Sequence, residues 1–158
     1  MNKQWLLAGI AGVIAISGMV LAHSTVKTAI PADHAHVTTA PKTVTVGFDE
    51  KFSAKSAVFK VYYLPPSSMM KNGKMMNAGQ MDDVAEATMN KYVTAKTDTA
   101  ARVDAGVVKS SSAMVDKMVI KLKPNLQPGV YVTMWQLKAS DGDTVKGFIH
   151  FHLDKMKM

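Results

Sequence analysis

Cysteine is absent from the 158 residues. That excludes disulfides, thiolate zinc sites, iron–sulfur clusters and the His-Cys-Met blue copper centre, and with the last of these electron transfer through type 1 copper. Beyond the first two dozen positions no apolar run is long enough to span a bilayer. Neither a basic helix nor an aromatic stacking run accompanies the 19 lysines and arginines, so the formal charge of +7 and the pI of 9.6 speak for solubility, with weak attraction to an anionic membrane surface second, and against nucleic acid. No internal repeat or low-complexity linker divides the chain. A composition of 47% hydrophobic and 20% charged residues suits one globular domain with an adequate core.

Among the residues that are present, the start of the chain reads as an export signal over residues 1–22. Met1 to Gln4 carries one lysine, Trp5 to Leu21 is apolar apart from Ser17, and Val20-Leu21-Ala22 offers small residues where a signal peptidase cuts. An uncleaved membrane anchor is the alternative. Cleavage after Ala22 leaves a mature domain of residues 23–158 that begins with His23, whose free α-amino group (pKa about 7.7–8.0) and imidazole (about 6.5) can both be deprotonated by a strongly bound cation near neutrality. Cu(II), with its tetragonal preference for nitrogen and oxygen, fits that chelate best. Chance placement of a histidine beside the cut is the competing explanation.

Five of the 13 methionines fall between Met69 and Met81: Met69, Met70, Met75, Met76 and Met81. Thioether sulfur is soft and neutral and needs no deprotonation, so a cluster of it on a loop favours Cu(I) over zinc, calcium or magnesium. The competing reading is an apolar patch. It is weakened by the interleaved Lys71, Asn72, Gly73, Lys74, Asn77, Gly79 and Gln80, which cannot be core throughout.

The rest of the chain reads as short strands: Ser24–Ile30, Thr43–Phe48 with Val44, Val46 and Phe48 on one face, Val58–Leu64, a weak strand between Lys91 and Val108, Lys117–Leu122, Val130–Lys138 and Lys146–Leu153. One short helix, capped by an acidic residue, is expected over Asp82–Asn90. Short strands at this spacing indicate a β-sandwich or barrel. If seven strands alternate in direction, their connections alternate between the two ends of the molecule. His23, Asp141 and Asp143 then share one end. The methionine stretch shares the other with His34 and His36.

These residues resemble the CopC-like periplasmic copper resistance proteins. The likeness runs from His23 through Pro31-Ala32-Asp33, Ala40-Pro41-Lys42 and Val44-x-Val46-x-Phe48-Asp49-Glu50. It is most specific in Leu126-Gln-Pro-Gly129-Val-Tyr131-Val-Thr-Met-Trp135, Ser140-Asp141-Gly142 and Gly147-Phe-Ile-His-Phe151. It covers nearly all of the mature chain, although the middle from Asp82 to Ser112 is longer than the family's. The resemblance implies an all-β, seven-stranded or slightly larger Greek-key sandwich or barrel of the cupredoxin or immunoglobulin type, carrying copper in the periplasm. It implies a Cu(I) site in the methionine stretch and a Cu(II) site at His23, Asp141 and Asp143. Asp143 stands where the family has histidine, and carboxylate is the poorer donor to Cu(II), so that site is expected to be weaker. The family's loop histidine is also missing, which makes His34 or His36 the candidate replacement.

His150 and His152, two apart on the last strand, oppose Ile149, Phe151 and Leu153 and point outward together; such an i, i+2 imidazole pair can hold a metal, and a solvated strand face is the commoner explanation. Met156 and Met158 are tail residues that could reach a metal, Met118 is expected in the core, and Trp135 is expected to be buried. The leading function is capture, storage or delivery of copper without chemical turnover by a monomer, with an inner-membrane copper transporter or other periplasmic copper proteins as partners. An enzyme built on an amino-terminal histidine, like the copper monooxygenases, would need a second histidine where Asp143 stands. A metal-free adhesive sandwich is the third reading.

Overall fold

The alternating apolar stretches fold, in the computed structural model, into two sheets face to face. The structure describes residues 25–155, so the export signal, His23, Ser24, Met156 and Met158 lie outside it. In chain order the elements are β1 (Val26–Ile30), β2 (His36–Val37), β3 (Thr43–Ser53), β4 (Val58–Leu64), a 3-10 turn (Pro66–Met69), β5 (Met70–Lys71), β6 (Lys74–Met75), α1 (Ala78–Tyr92), β7 (Asp104–Val107), β8 (Met114–Leu122), β9 (Gly129–Lys138) and β10 (Thr144–Leu153). One sheet has the order β1-β3-β8-β7 and the other β2-β10-β9-β4, while β5 and β6 form a separate two-stranded ribbon. The expected all-β sandwich is therefore present. Its seven longer strands are those expected, and β2, β5 and β6 are two-residue additions.

The core between the sheets is built from the predicted alternation. Val44, Val46 and Phe48 of β3, Met118, Ile120 and Leu122 of β8, Trp135 and Leu137 of β9, and Ile149, Phe151 and Leu153 of β10 are all buried in it. β3 runs five residues past its expected end because an irregularity between Gly47 and Phe52 lets Phe52 return to the core. The Leu126–Trp135 motif is structural: the Tyr131 hydroxyl donates to the Gln127 carbonyl, Tyr63 donates to Pro128 O at 3.1 Å, and Gly129 at φ 154° sits where a Cβ would come within 2.7 Å of Leu64 O.

Both faces of β9 are buried, because α1 covers the outer side of the second sheet. Tyr62, Val130, Val132 and Met134 of the sheet meet Met81, Ala85, Met89 and Val93 there, with Met69 joining them. Met81, Ala85, Thr88 and Met89 repeat at helical spacing and form the buried stripe of α1. The helix begins four residues earlier than expected and its cap is not acidic. Asn77 is the N-cap, its side-chain oxygen accepting from Gln80 N–H at 2.9 Å while Gln80 Oε1 accepts from Asn77 N–H at 3.1 Å. At the far end the buried Lys60 of β4 donates from Nζ to Tyr92 O at 3.0 Å and Ala95 O at 2.7 Å, placing a cation against the carbonyls at and just beyond the helix's C-terminus.

The methionine stretch is thus not one loop. Asn72 and Gly73, at φ 54° and 72°, close a two-residue hairpin of the Asn-Gly kind between β5 and β6, and Met81 belongs to the first turn of α1.

Candidate metal centre

Two His-x-His stretches, 34–36 and 150–152, lie side by side. β2 runs parallel to β10 with His36 opposite His152. The loop before it is stapled to the same strand: His34 N–H donates to His150 O at 2.7 Å, His150 N–H to Asp33 Oδ1 at 3.0 Å, and His152 N–H to Ala35 O at 2.8 Å. Alternation along β10 turns His150 and His152 to the same face, and the His34 and His36 rings pack against them, so that the four imidazoles form a two-by-two array. The His34 ring meets that of His150 edge-on at 4.4 Å, His36 stacks on His152 at 4.3 Å, and His150 and His152 are 5.5 Å apart.

Carboxylates complete the array. Asp82, in the first turns of α1, places Oδ1 3.1 Å from His150 Nε2 and 3.4 Å from His34 Nε2, and Asp33 Oδ2 lies 3.5 Å from His34 Nε2. Donor atoms of Asp33, His34 and His150 all lie within 4.8 Å of one another. On the other side Asp154 Oδ1 is 3.1 Å from His36 Nδ1. Burial holds the His150 imidazole below its ordinary pKa; the Asp82 hydrogen bond opposes that shift and the nearby His34 adds to it. Burial, and then His36 and His150, lower His152 as well. Both shifts favour the neutral ring, the state in which imidazole binds metal.

Sulfur meets nitrogen across a cleft of about 330 Å³ lined by all four of these histidines with Asp154, Met69, Met75, Met76 and Met81. His34 and His36 are therefore grouped with the methionines, as the alternation of strand ends predicts. Within the stretch the methionines divide. Met69 and Met81 are 9% and 3% exposed and belong also to the small core beneath α1, Met76 is half-buried, and Met75 is 68% exposed. Met70 pairs with Met75 across the ribbon but does not line the cleft.

The expectation of a solvated face for His150 and His152 is overturned for His150, which is 1% exposed, while His152 is half-buried. Alternation shows only that the pair opposes Phe151, and the layer that covers it comes from the long middle of the chain. Asp33, Asp82 and Asp154 were not expected at the site either. The sequence signal that could have found them is the recurrence of His-x-His in a chain with five histidines, each repeat having an aspartate next to it or two residues beyond.

At the opposite end, Thr25 N–H donates to Asp49 Oδ1 at 2.8 Å, and the adjoining Glu50 accepts from the Ser140 hydroxyl at 3.4 Å. The start of β1 and the β9–β10 turn are thereby brought to the same end. Asp141 and Asp143 are exposed on that turn, where Asp141 Oδ1 accepts the Asp143 N–H at 2.9 Å. His23, the third residue expected there, lies outside the described residues.

Among solved structures, the chain is similar to CopC from Methylosinus trichosporium OB3b, with 18% identity over 86% of this chain and 98% of that one and a TM-score of 0.53. It is similar to PcoC, a methionine-rich copper resistance protein from Escherichia coli, with 21% identity over 84% and 100% and a TM-score of 0.53. At those identities the likeness establishes the sandwich and no more. No curated protein matches the chain in sequence. The model of the CopC domain matches residues 26–154, which is nearly everything the structure describes, and on that extent the chain belongs to the CopC family.

Proposed function

We propose that the protein is a periplasmic copper carrier that binds Cu(I) in the methionine–histidine cleft and performs no chemical turnover. The observation that carries this is the convergence of Met69, Met75, Met76 and Met81 with four imidazoles on one cleft. Thioethers and neutral imidazoles are the donors Cu(I) prefers, and none must lose a proton to bind. His34 and His36 are candidate nitrogen ligands in place of the family's loop histidine. Met75, exposed at the rim, is suited to first capture and release, whereas Met69 and Met81 present sulfur from a packed floor. Export through cleavage after Ala22 would put the carrier where an inner-membrane copper transporter or another periplasmic copper protein could receive its cargo. A weaker Cu(II) site at His23, Asp141 and Asp143 belongs to the same reading.

Anaerobic competition with a chromophoric Cu(I) chelator tests it. The exported protein is compared with a variant carrying Met69, Met70, Met75, Met76 and Met81→Leu, which roughly preserves core volume at a cost of under about 1.5 kcal/mol per buried site. Cu(I) retention by the parent and loss by the variant is the expected result. Equal uptake by both would remove the thioether cleft from the function. Mass spectrometry of the exported chain checks that His23 is its first residue.

A further inference from the structure

We propose that Asp33, His34, Asp82 and His150 form a second site in this cleft, made of nitrogen and oxygen donors, for a divalent transition-metal cation. It uses none of the thioethers and does not rest on their binding Cu(I), and it shares His34 with the candidate Cu(I) ligands.

Geometry carries the inference. A tetrahedral ion with bonds of about 2.0–2.1 Å has neighbouring ligand atoms about 3.3–3.4 Å apart. The observed separations are 3.1 Å between His150 Nε2 and Asp82 Oδ1, 3.4 Å between His34 Nε2 and the same oxygen, and 3.5 Å between His34 Nε2 and Asp33 Oδ2. Three donor pairs thus lie near tetrahedral edge lengths, and the donor atoms of Asp33, His34 and His150 lie within 4.8 Å of one another, with Asp82 joined to the set through His34 and His150.

The set is also held in place. Asp33 Oδ1 accepts the backbone N–H groups of His150 at 3.0 Å and His34 at 3.1 Å, which fixes the carboxylate and leaves Oδ2 toward the His34 ring. His34 is held at φ 60°, in the left-handed region that side chains rarely adopt, with its N–H committed to His150 O at 2.7 Å. The same residue, His150, is 1% exposed, and its other ring nitrogen, Nδ1, has no hydrogen-bond partner. Buried polar atoms are almost always paired, and this one lies on a residue that already lines the cleft.

Chemistry decides the ion. Two carboxylates and two imidazoles neutralise a divalent charge and match Zn²⁺ and Cu²⁺, whereas calcium and magnesium would want more oxygen and Cu(I) more sulfur. The array therefore offers two donor sets: the thioethers of the 3-10 turn, the ribbon and α1 for a monovalent ion, and the nitrogen and oxygen of the β1–β2 loop, β10 and Asp82 for a divalent one. His36 and His152 remain for the thioethers.

The probes are Zn²⁺, by competition with a chromophoric chelator, and Co²⁺, whose visible absorption reports tetrahedral nitrogen–oxygen coordination. Four forms of the exported protein are compared: the parent, His34→Ala/Asp82→Asn, Asp141→Ala/Asp143→Ala, and the methionine-to-leucine variant above. The side chains of His34 and Asp82 are each 42% exposed, so folding should survive their loss, and circular dichroism checks it. One Zn²⁺ per parent chain, weakened about 100-fold or more by His34→Ala/Asp82→Asn and unchanged in the other two, is the expected result. No uptake by the parent, uptake retained by His34→Ala/Asp82→Asn, or uptake abolished by Asp141→Ala/Asp143→Ala would each overturn the proposal. Loss of Cu(I) binding in the parent with Zn²⁺ binding intact would instead count against the carrier function and leave this site standing.

Discussion

Gly147 lies against the indole of Trp135, its partner across β9 and β10: a Cβ there would sit 2.6 Å from Cζ2 and 2.9 Å from Nε1. Gly147→Ala must push the indole out of a closely packed core, and a loss of about 1–3 kcal/mol is expected, read as a lower denaturant midpoint with the slope unchanged. Tyr131 gives a pH test with a definite sign. Burial, and then the neighbouring Tyr63, push its phenol from the ordinary 10.0 to about 12. The folded value is above the unfolded one, so the contribution to stability is whole below pH 10 and is lost as pH rises through the interval to about 12. Unfolding curves between those pH values should show this fall, and Tyr131→Phe should flatten it while lowering stability at pH 7 through loss of the bond to Gln127 O. Residues of this kind were legible only in part. The burial of Trp135 followed from its place in an alternating strand, but the need for glycine at 147 depends on what crosses it from the next strand.

At the scale of elements, α1 is held at both ends by polar contacts that can be removed singly. Asn77→Ala removes the N-cap and is expected to cost about 1 kcal/mol. Lys60→Met fills the same space but strips the cation from Tyr92 O and Ala95 O. Amide hydrogen exchange over residues 78–95 should quicken in that variant while β3 and β8 keep their protection; uniform acceleration across both sheets would show that the helix and the sandwich unfold together. The strands themselves were readable because alternation is a local property. The helix boundary was not, since its first turn uses Met81, a residue that the methionine-rich composition assigns to the loop, and its cap is Asn77 paired with Gln80. The position of the helix was illegible for a different reason. Nothing in residues 82–112 states which sheet face they will cover, and the exposure of His150 and His152 depends on that choice.

For the whole molecule, the two ends are separate. A cation bound in the cleft meets only folded protein, so it should raise the melting temperature, by about 2.7 kcal/mol of stability when free ion is 100 times Kd. Anaerobic thermal melts with Cu(I) are expected to show this rise in the parent and in Asp141→Ala/Asp143→Ala alike, and not in the methionine-to-leucine variant. The division among the sulfurs has a further consequence wherever the protein meets peroxide. Oxygen must reach sulfur to form a sulfoxide, and the polar product cannot remain under a helix without pushing the helix away. Among the sulfurs that line the cleft, Met75, 68% exposed, should take the first oxidising equivalents, with Met81 spared until α1 lifts. Damage would then spoil the mouth of the cleft while its floor stays reduced, and repair of one surface side chain by a sulfoxide reductase would restore the cleft.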